Sequence, residues 1–152
     1  MGKLEQAEFT NMCMLQNDKG EVLVQNRVKK WKGLAFPGGH LEFRESIVDS
    51  VKREIFEETG YTISNLKICG VKQAFFEDGS RYIVYLYKTN TFEGELHSTD
   101  EGENFWISID DLKARKNEFA NNFEYMLEVF LNDDLTEHYH AHENEKVIDI
   151  VK

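Results

Sequence analysis

The stretch from Gly38 to Tyr61 constrains this chain more than any other: a glycine pair, a short loop, one amphipathic helix and a glycine stop. Ser46 is placed to cap the helix N-terminus and Gly60 to end it in the left-handed region. Ile47, Val48, Val51 and Ile55 fall on one arc and are expected to face a core. The carboxylates are the unusual part. Glu54, Glu57 and Glu58 stand at i, i+3 and i+4, so their side chains meet on one face. At about 100° per residue that face overlaps the apolar arc, and Glu58 projects between Ile47 and Val51. The acids also crowd the last turn, at the negative end of the helix dipole. Each like-charge neighbour costs about 0.2–0.5 kcal/mol, and the dipole adds a similar penalty. Arg53 adds one cation but is expected to point to a different side. A bound divalent metal offsets the repulsion, and an all-oxygen donor set favours Mg²⁺, Mn²⁺ or Ca²⁺ over zinc or copper.

Gly39, Glu45, Arg53-Glu54-Ile55, Phe56, Glu57-Glu58, Thr59 and Gly60 carry a family resemblance. The segment 39–61 resembles the signature of the Nudix hydrolases, the MutT-like pyrophosphohydrolases. Gly39, Glu45, Arg53, Glu54, Glu57, Glu58 and Gly60 match its fixed positions; Tyr61 stands where an aliphatic residue is usual. Composition alone would give such a match in roughly 10⁻⁵ of chains this acidic. The resemblance implies a Nudix-type α/β/α sandwich with a mixed central sheet, an α/β (α+β) fold. It also implies a metal site of Glu54, Glu57, Glu58 and the Gly38 carbonyl, holding Mg²⁺ or Mn²⁺.

The chain has 152 residues, 41% of them hydrophobic, and 11 are Phe. That suits one domain over 1–152 with a substantial core. A net charge of −10 with no basic stripe argues against a duplex-binding protein and suits one that handles phosphates through metal ions. No run approaches the length of a membrane span and no signal peptide opens the sequence. Cys13 and Cys69 lie far apart among apolar residues, which reads as free buried thiols and a cytoplasmic protein.

In chain order, Glu8–Leu15 and Glu21–Gln25 flank the turn signal Asn17-Asp18-Lys19-Gly20 and are expected to pair as a hairpin. Asn26–Lys32 is a local basic patch, either a phosphate attractor or a solvated loop. In the family an arginine at the end of the equivalent strand approaches substrate phosphates, which singles out Arg27. Trp31 can stack on a base, although burial statistics favour core for an aromatic beside a strand. Pro37 leads into Gly38-Gly39 and fixes the approach of the chain. Arg81–Thr89 alternates strictly, with Tyr82, Val84 and Leu86 on one side and Ile83, Tyr85 and Tyr87 on the other. Apolar on both faces, it reads as a central strand covered by helices above and below. Phe92–Asn104 reads as an acidic loop, Phe105–Ile107 as a short strand, and Asp110-Asp111-Leu112 as the start of a helical turn.

In the family a further glutamate from this region joins the metal site. Glu101 takes that role here, with Glu103 second and a solvated loop as the plain alternative. Asn117–Leu131 shows helical spacing of Phe119, Phe123, Met126, Leu127, Phe130 and Leu131. Asn121 resembles the asparagine with which MutT reads a purine, while Asn122 competes as a helix cap. From about residue 132 the tail reads as a polar extension. His138, His140 and His142 would line one face of a strand and could bind a transition metal, but no cysteine or patterned acidic set completes a site. Val147, Ile148, Ile150 and Val151 fit an edge strand or a subunit contact, which leaves a homodimer open.

The resemblance implies Mg²⁺-dependent hydrolysis of a pyrophosphate bond in a nucleoside diphosphate derivative, with small nucleotides as partners. An oxidised nucleoside triphosphate such as 8-oxo-dGTP is favoured on domain size. ADP-ribose, a nucleotide sugar or another such derivative is the alternative, and a non-catalytic nucleotide-binding regulator is a third. Glu54 is taken as general base, with Glu101 or Glu103 as alternatives, and is grouped with Glu57, Glu58 and Arg53 as the catalytic set. Arg53 and Glu45 are expected to pair and brace loop against helix. Arg27, Asn121 and Trp31 are the substrate-binding candidates, and Gly39, Glu45 and Gly60 the structural positions.

Overall fold

The alternation at Arg81–Thr89 is realised as a strand with neighbours on both edges. In the computed structural model, which describes residues 2–152, the chain begins with β1 (Ala7–Leu15), β2 (Val22–Arg27) and β3 (Gly33–Ala35), followed by α1 (Ile47–Thr59). Next come β4 (Tyr61–Ser64), β5 (Lys67–Phe75), β6 (Arg81–Thr89), β7 (Thr91–Gly94) and β8 (Gly102–Ile107). Then α2 (Ile109–Ala114), a 3-10 turn (Lys116–Glu118), α3 (Phe123–Leu131), β9 (Glu137–Glu143) and β10 (Lys146–Val151) complete the fold. The main sheet has the order β1-β6-β5-β9-β10. It is mixed: β1 is parallel to β6 and β5 to β9, while β5–β6 and β9–β10 are antiparallel. A second sheet, β3-β2-β8, is antiparallel, and β4 pairs with β7.

The pleat sorts β1 and β6 into two cores. Met12, Met14, Val84 and Leu86 pack with Leu112 of α2 and with Phe123, Leu127 and Phe130 of α3. Cys13, Leu15 and Tyr87 face the other way, onto Val51 and Ile55 of α1. Helices therefore cover opposite faces, as the sandwich reading expects. Within α1, Val51 and Ile55 are buried as expected, but Val48 is exposed and Ser50 is buried instead. Among the described residues no helix is long and apolar enough to cross a membrane.

Several expectations are corrected. The turn at Asn17–Gly20 forms, with Asn17 N–H donating to the Glu21 carbonyl over 3.0 Å, but β1 and β2 are not a hairpin. Apart from a bridge between Gln16 and Val22 they part into different sheets, because β1 is apolar on both faces and belongs inside the sandwich. The region 92–104 is not all loop: β7 ends at Gly94 and β8 begins at Gly102. The helix expected from Asn117 starts only at Phe123. Ala120 N–H donates to the Leu34 carbonyl at 3.0 Å and Phe119 bridges Leu34, which draws this backbone toward β3. Asn122 adopts φ 66° and makes no capping bond through its side chain. The tail is not a mere polar extension. It forms the hairpin β9–β10, which joins the main sheet along β5 and makes β10 the edge strand foreseen for Val147–Val151. Cys13 is buried and Cys69 half-buried, both free.

Candidate active site

The loop into α1 is pinned to the main sheet. Asn11 N–H donates to the Gly39 carbonyl (2.8 Å) and Cys13 N–H to the Pro37 carbonyl (3.0 Å). Pairing of these flanking carbonyls leaves the Gly38 carbonyl turned away from β1. The approach requires glycine: a Cβ on Gly38 would fall 2.1 Å from the Asn11 carbonyl oxygen, and one on Gly39 2.3 Å from the Glu54 carboxyl carbon. Ser46 caps α1 by accepting from Asp49 N–H at 3.0 Å, and Gly60 ends it at φ 86°.

Glu58 is the buried member of the cluster, 9% exposed, as its place between Ile47 and Val51 predicts. Its Oε2 accepts from Gly38 N–H at 3.3 Å and from the Gln25 amide at 3.5 Å. Burial first, and then the charge of Glu54, push its carboxyl up to about 7. Burial also raises Glu54, against the pull of Arg53. Glu57 is exposed. Two acids that ionise reluctantly beside a third make a site that gains from a cation. The set is all oxygen, and the free Gly38 carbonyl and the glycine cradle around Glu54 fit a hard divalent ion such as Mg²⁺ or Mn²⁺.

Arg53 does not point away from the acids. Its guanidinium holds both oxygens of Glu45 (2.8 and 3.0 Å), reaches Glu54 (2.9 Å) and Glu57 (3.2 Å), and donates to the His40 carbonyl (2.9 Å). Cβ direction alone does not fix where this head group lies, because a long side chain with a forked head reaches both faces. The expected brace between Arg53 and Glu45 is present, and it holds the Glu45 carboxyl down at about 2. Glu101 lies near enough for its charge to raise Glu58, and Lys29 approaches it at 3.6 Å. Glu103 is exposed on β8, and its charge acts on Arg115.

A cleft opens beside Gly38 and Gly39. It comprises adjoining hollows of about 110 and 370 Å³ that share Trp31, Lys72, Tyr82 and Asn121. Arg27 lines it at the box end, and its charge favours ionised Glu58. Trp31 is not core: it is 53% exposed, at φ 55°, with its ring 6.5 Å from Tyr82. Asn121 lines both hollows. The cleft therefore brings Arg27, Trp31 and Asn121 together beside the carboxylates.

Several residues were not anticipated. Buried Asn11 accepts from Gly39 N–H (3.3 Å) and donates to Ser50 Oγ (3.0 Å), tying β1, loop and helix together. Asn104 donates to the backbone carbonyls of Glu58 (2.7 Å) and His97 (2.9 Å). Lys72 is a buried lysine under Tyr82, its ammonium 5.5 Å from the ring, and burial pulls its pKa down. The available signal was a polar pair inside a largely apolar stretch, as Thr10-Asn11 is between Phe9 and Met12.

Comparison with known proteins agrees with this geometry. The NUDIX domain family matches residues 10–129. The uncharacterized Nudix hydrolase YvcI of Bacillus subtilis is 32% identical over 106 residues, 66% of each chain. An oxidized purine nucleoside triphosphate hydrolase of Danio rerio is 32% identical over 84 residues, 55% of this chain and 52% of that one. The chain thus spans two thirds or less of the length of these relatives. The crystal structure of a MutT protein from Bacillus halodurans superposes with TM-score 0.79 at 23% identity, covering 95% of this chain and 97% of that one, and so shares the fold. With its box intact and the family matched over most of its length, the chain belongs to the Nudix family.

Proposed function

We propose that this chain hydrolyses the pyrophosphate bond of a nucleoside diphosphate derivative, most readily an oxidised purine nucleoside triphosphate such as 8-oxo-dGTP, giving the monophosphate and pyrophosphate. The observation that carries this reading is the joining of two features. The carboxylates of Glu54 and Glu58 lie against Gly38–Gly39, and the same glycines line a cleft with Arg27, Trp31, Tyr82 and Asn121. Phosphates fit the first and a flat base the second. The Danio rerio relative, named for oxidised purine nucleoside triphosphates, supports the choice of substrate.

The phosphoanhydride resists attack because its negative oxygens repel a nucleophile. A divalent ion held by Glu54, Glu57, Glu58 and the Gly38 carbonyl, with Glu101 in reach, supplies charge neutralisation and water activation when bound. The chain's own residues do the rest. Arg27 draws the phosphates to the box end of the cleft. Arg53 locks Glu45, Glu54 and Glu57 into one arrangement, so the acids need no reorganisation. Burial raises the proton affinity of Glu54, so its carboxylate takes a proton from the attacking water, with Glu101 as the alternative base. Trp31 stacks on the base and the Asn121 amide donates to and accepts from its edge.

The test is product analysis with Mg²⁺ on 8-oxo-dGTP, ordinary dNTPs, ADP-ribose and UDP-glucose. Highest kcat/KM on 8-oxo-dGTP, with pyrophosphate released, is expected. Preference for ADP-ribose or a nucleotide sugar would keep the chemistry and replace the substrate. The 370 Å³ hollow beyond Trp31 offers room for such a second moiety. Nucleotide binding without turnover would favour a regulator, a reading the complete carboxylate set argues against.

A further inference from the structure

The C-terminal hairpin carries a second constellation that pyrophosphate hydrolysis does not use. His138 and His140 stand two residues apart on β9, so both side chains leave the same face of the sheet. Asp149 on β10 is the register partner of His140. Nε2 of His138 and Nδ1 of His140 each lie 2.8 Å from one and the same atom, Oδ1 of Asp149. The three ligand atoms fall within 4.8 Å of one another, and their side chains are 0%, 15% and 11% exposed.

We propose that His138, His140 and Asp149 bind one borderline divalent cation of the zinc class, at a site separate from the carboxylate cluster of α1.

The donor chemistry selects the ion. Two imidazole nitrogens and one carboxylate oxygen suit zinc and its late first-row neighbours, whereas Mg²⁺ and Ca²⁺ prefer oxygen throughout. The convergence of the three atoms is the second argument. Both imidazoles aim at a single carboxylate oxygen, while the opposite nitrogen of His138, Nδ1, is buried with no partner among the described residues. A cation at the point where the three ligand atoms meet would engage Nε2 of His138 and leave Nδ1 as it is, so the convergence alone points to the ion.

The scaffold is rigid. β9 is paired with β5 on one side and β10 on the other, and the chain end is tied back by Lys152 to Thr136 and Glu137. Lys72, the register partner of His138, is the nearby cation. Its ammonium lies over the Tyr82 ring in the cleft, and no hydrogen bond joins it to Asp149 among the described residues. His140 and exposed His142 line the outer hollow, with their rings 5.4 Å apart. The hollow beside His140 gives water access to the group.

The same side chains also form a hydrogen-bonded triad without an ion, and Co²⁺ binding to the full chain separates the two readings. Excess Mg²⁺ fills the α1 cluster throughout. One equivalent of Co²⁺ should give visible d–d absorption of a four- or five-coordinate nitrogen–oxygen site, and Zn²⁺ should displace it. His140→Ala and Asp149→Asn should weaken binding by about 100-fold or more, since even outer-shell partners of a metal are worth 10- to 100-fold. Glu57→Gln should leave it unchanged. No cobalt band in the wild-type chain, a band that survives both hairpin substitutions, or one lost in Glu57→Gln would each overturn the site. A readout on the wild-type chain guards against misfolded variants. Zinc should shift the imidazole nitrogen resonances of His138 and His140 and leave those of His97, and unmoved hairpin resonances would overturn the proposal. Because the readout is binding, loss of the pyrophosphatase reading would leave this result standing.

Discussion

The carboxylate of Glu54 occupies the space into which any side chain at Gly39 would project, with its carboxyl carbon 2.3 Å from where a Cβ would sit. The obstructing atoms are the end of a flexible side chain, so Gly39→Ala should displace Glu54 and leave the fold intact. A misplacement of this order is expected to lower kcat by about 100-fold. Steady-state kinetics with a thermal melt checks it; a wild-type kcat would mean that Glu54 acts from another position.

Glu57 is 55% exposed on its side chain, and among the described residues its one ion pair is the Arg53 contact at 3.2 Å. Glu57→Gln should therefore hardly change stability, and should cost at least about 100-fold in Mg²⁺-dependent turnover. Turnover close to wild type would remove Glu57 from the metal set.

Burial, with the Glu54 charge second, pushes Glu58 from an ordinary 4.5 up to about 7. Between these values the folded, metal-free chain keeps a proton that the unfolded chain has released. The Glu58 contribution to stability is therefore full below about pH 4.5 and is lost as pH rises through 7, about 3 kcal/mol at 1.36 kcal/mol per unit. Melts in chelator at pH 5.5 and 8 should show the decline, and Glu58→Gln should flatten it. Mg²⁺ should restore stability at pH 8, where ionised Glu58 is the ligating form.

Trp31 is half exposed, so Trp31→Ala should shift stability by no more than about 0.5 kcal/mol. Base stacking on an aromatic is worth about 1–3 kcal/mol, so KM should rise about tenfold or more if the ring holds the base. An unchanged KM across nucleotides would place the base elsewhere in the cleft.

The helix α1 was legible because everything that defines it is local: cap, apolar arc, acids at i, i+3 and i+4, and a glycine stop. The central place of β6 was legible for a similar reason, since alternation with both faces apolar admits few positions. What escaped depends on distant pairing. β1 beside β2 in sequence looks like a hairpin, yet its partner is β6, with Ala7 opposite Arg81. Phe119 and Phe123 keep helical spacing and touch at 5.0 Å, but the backbone between them bonds to Leu34 instead of to a helix. Asp149 was invisible as a partner of His140 because only the register of β9 and β10 brings them together. Lys72 was overlooked because a lysine within a strand reads as solvent-facing until the layer above it is known.

The parallel pairing of β1 with β6 also sets the order in which the chain can assemble. Asn11 cannot hold Gly39 firmly until β1 is seated, and β1 is seated only once Arg81–Thr89 exists to receive it. Loop-closure entropy opposes so distant a pairing, and pairings of this kind correlate with slower folding. During synthesis α1, with its repelling acids, emerges well before the strand that anchors its loop. The position of the Gly38–Gly39 loop thus depends on a pairing between segments far apart in sequence, and not on α1 alone.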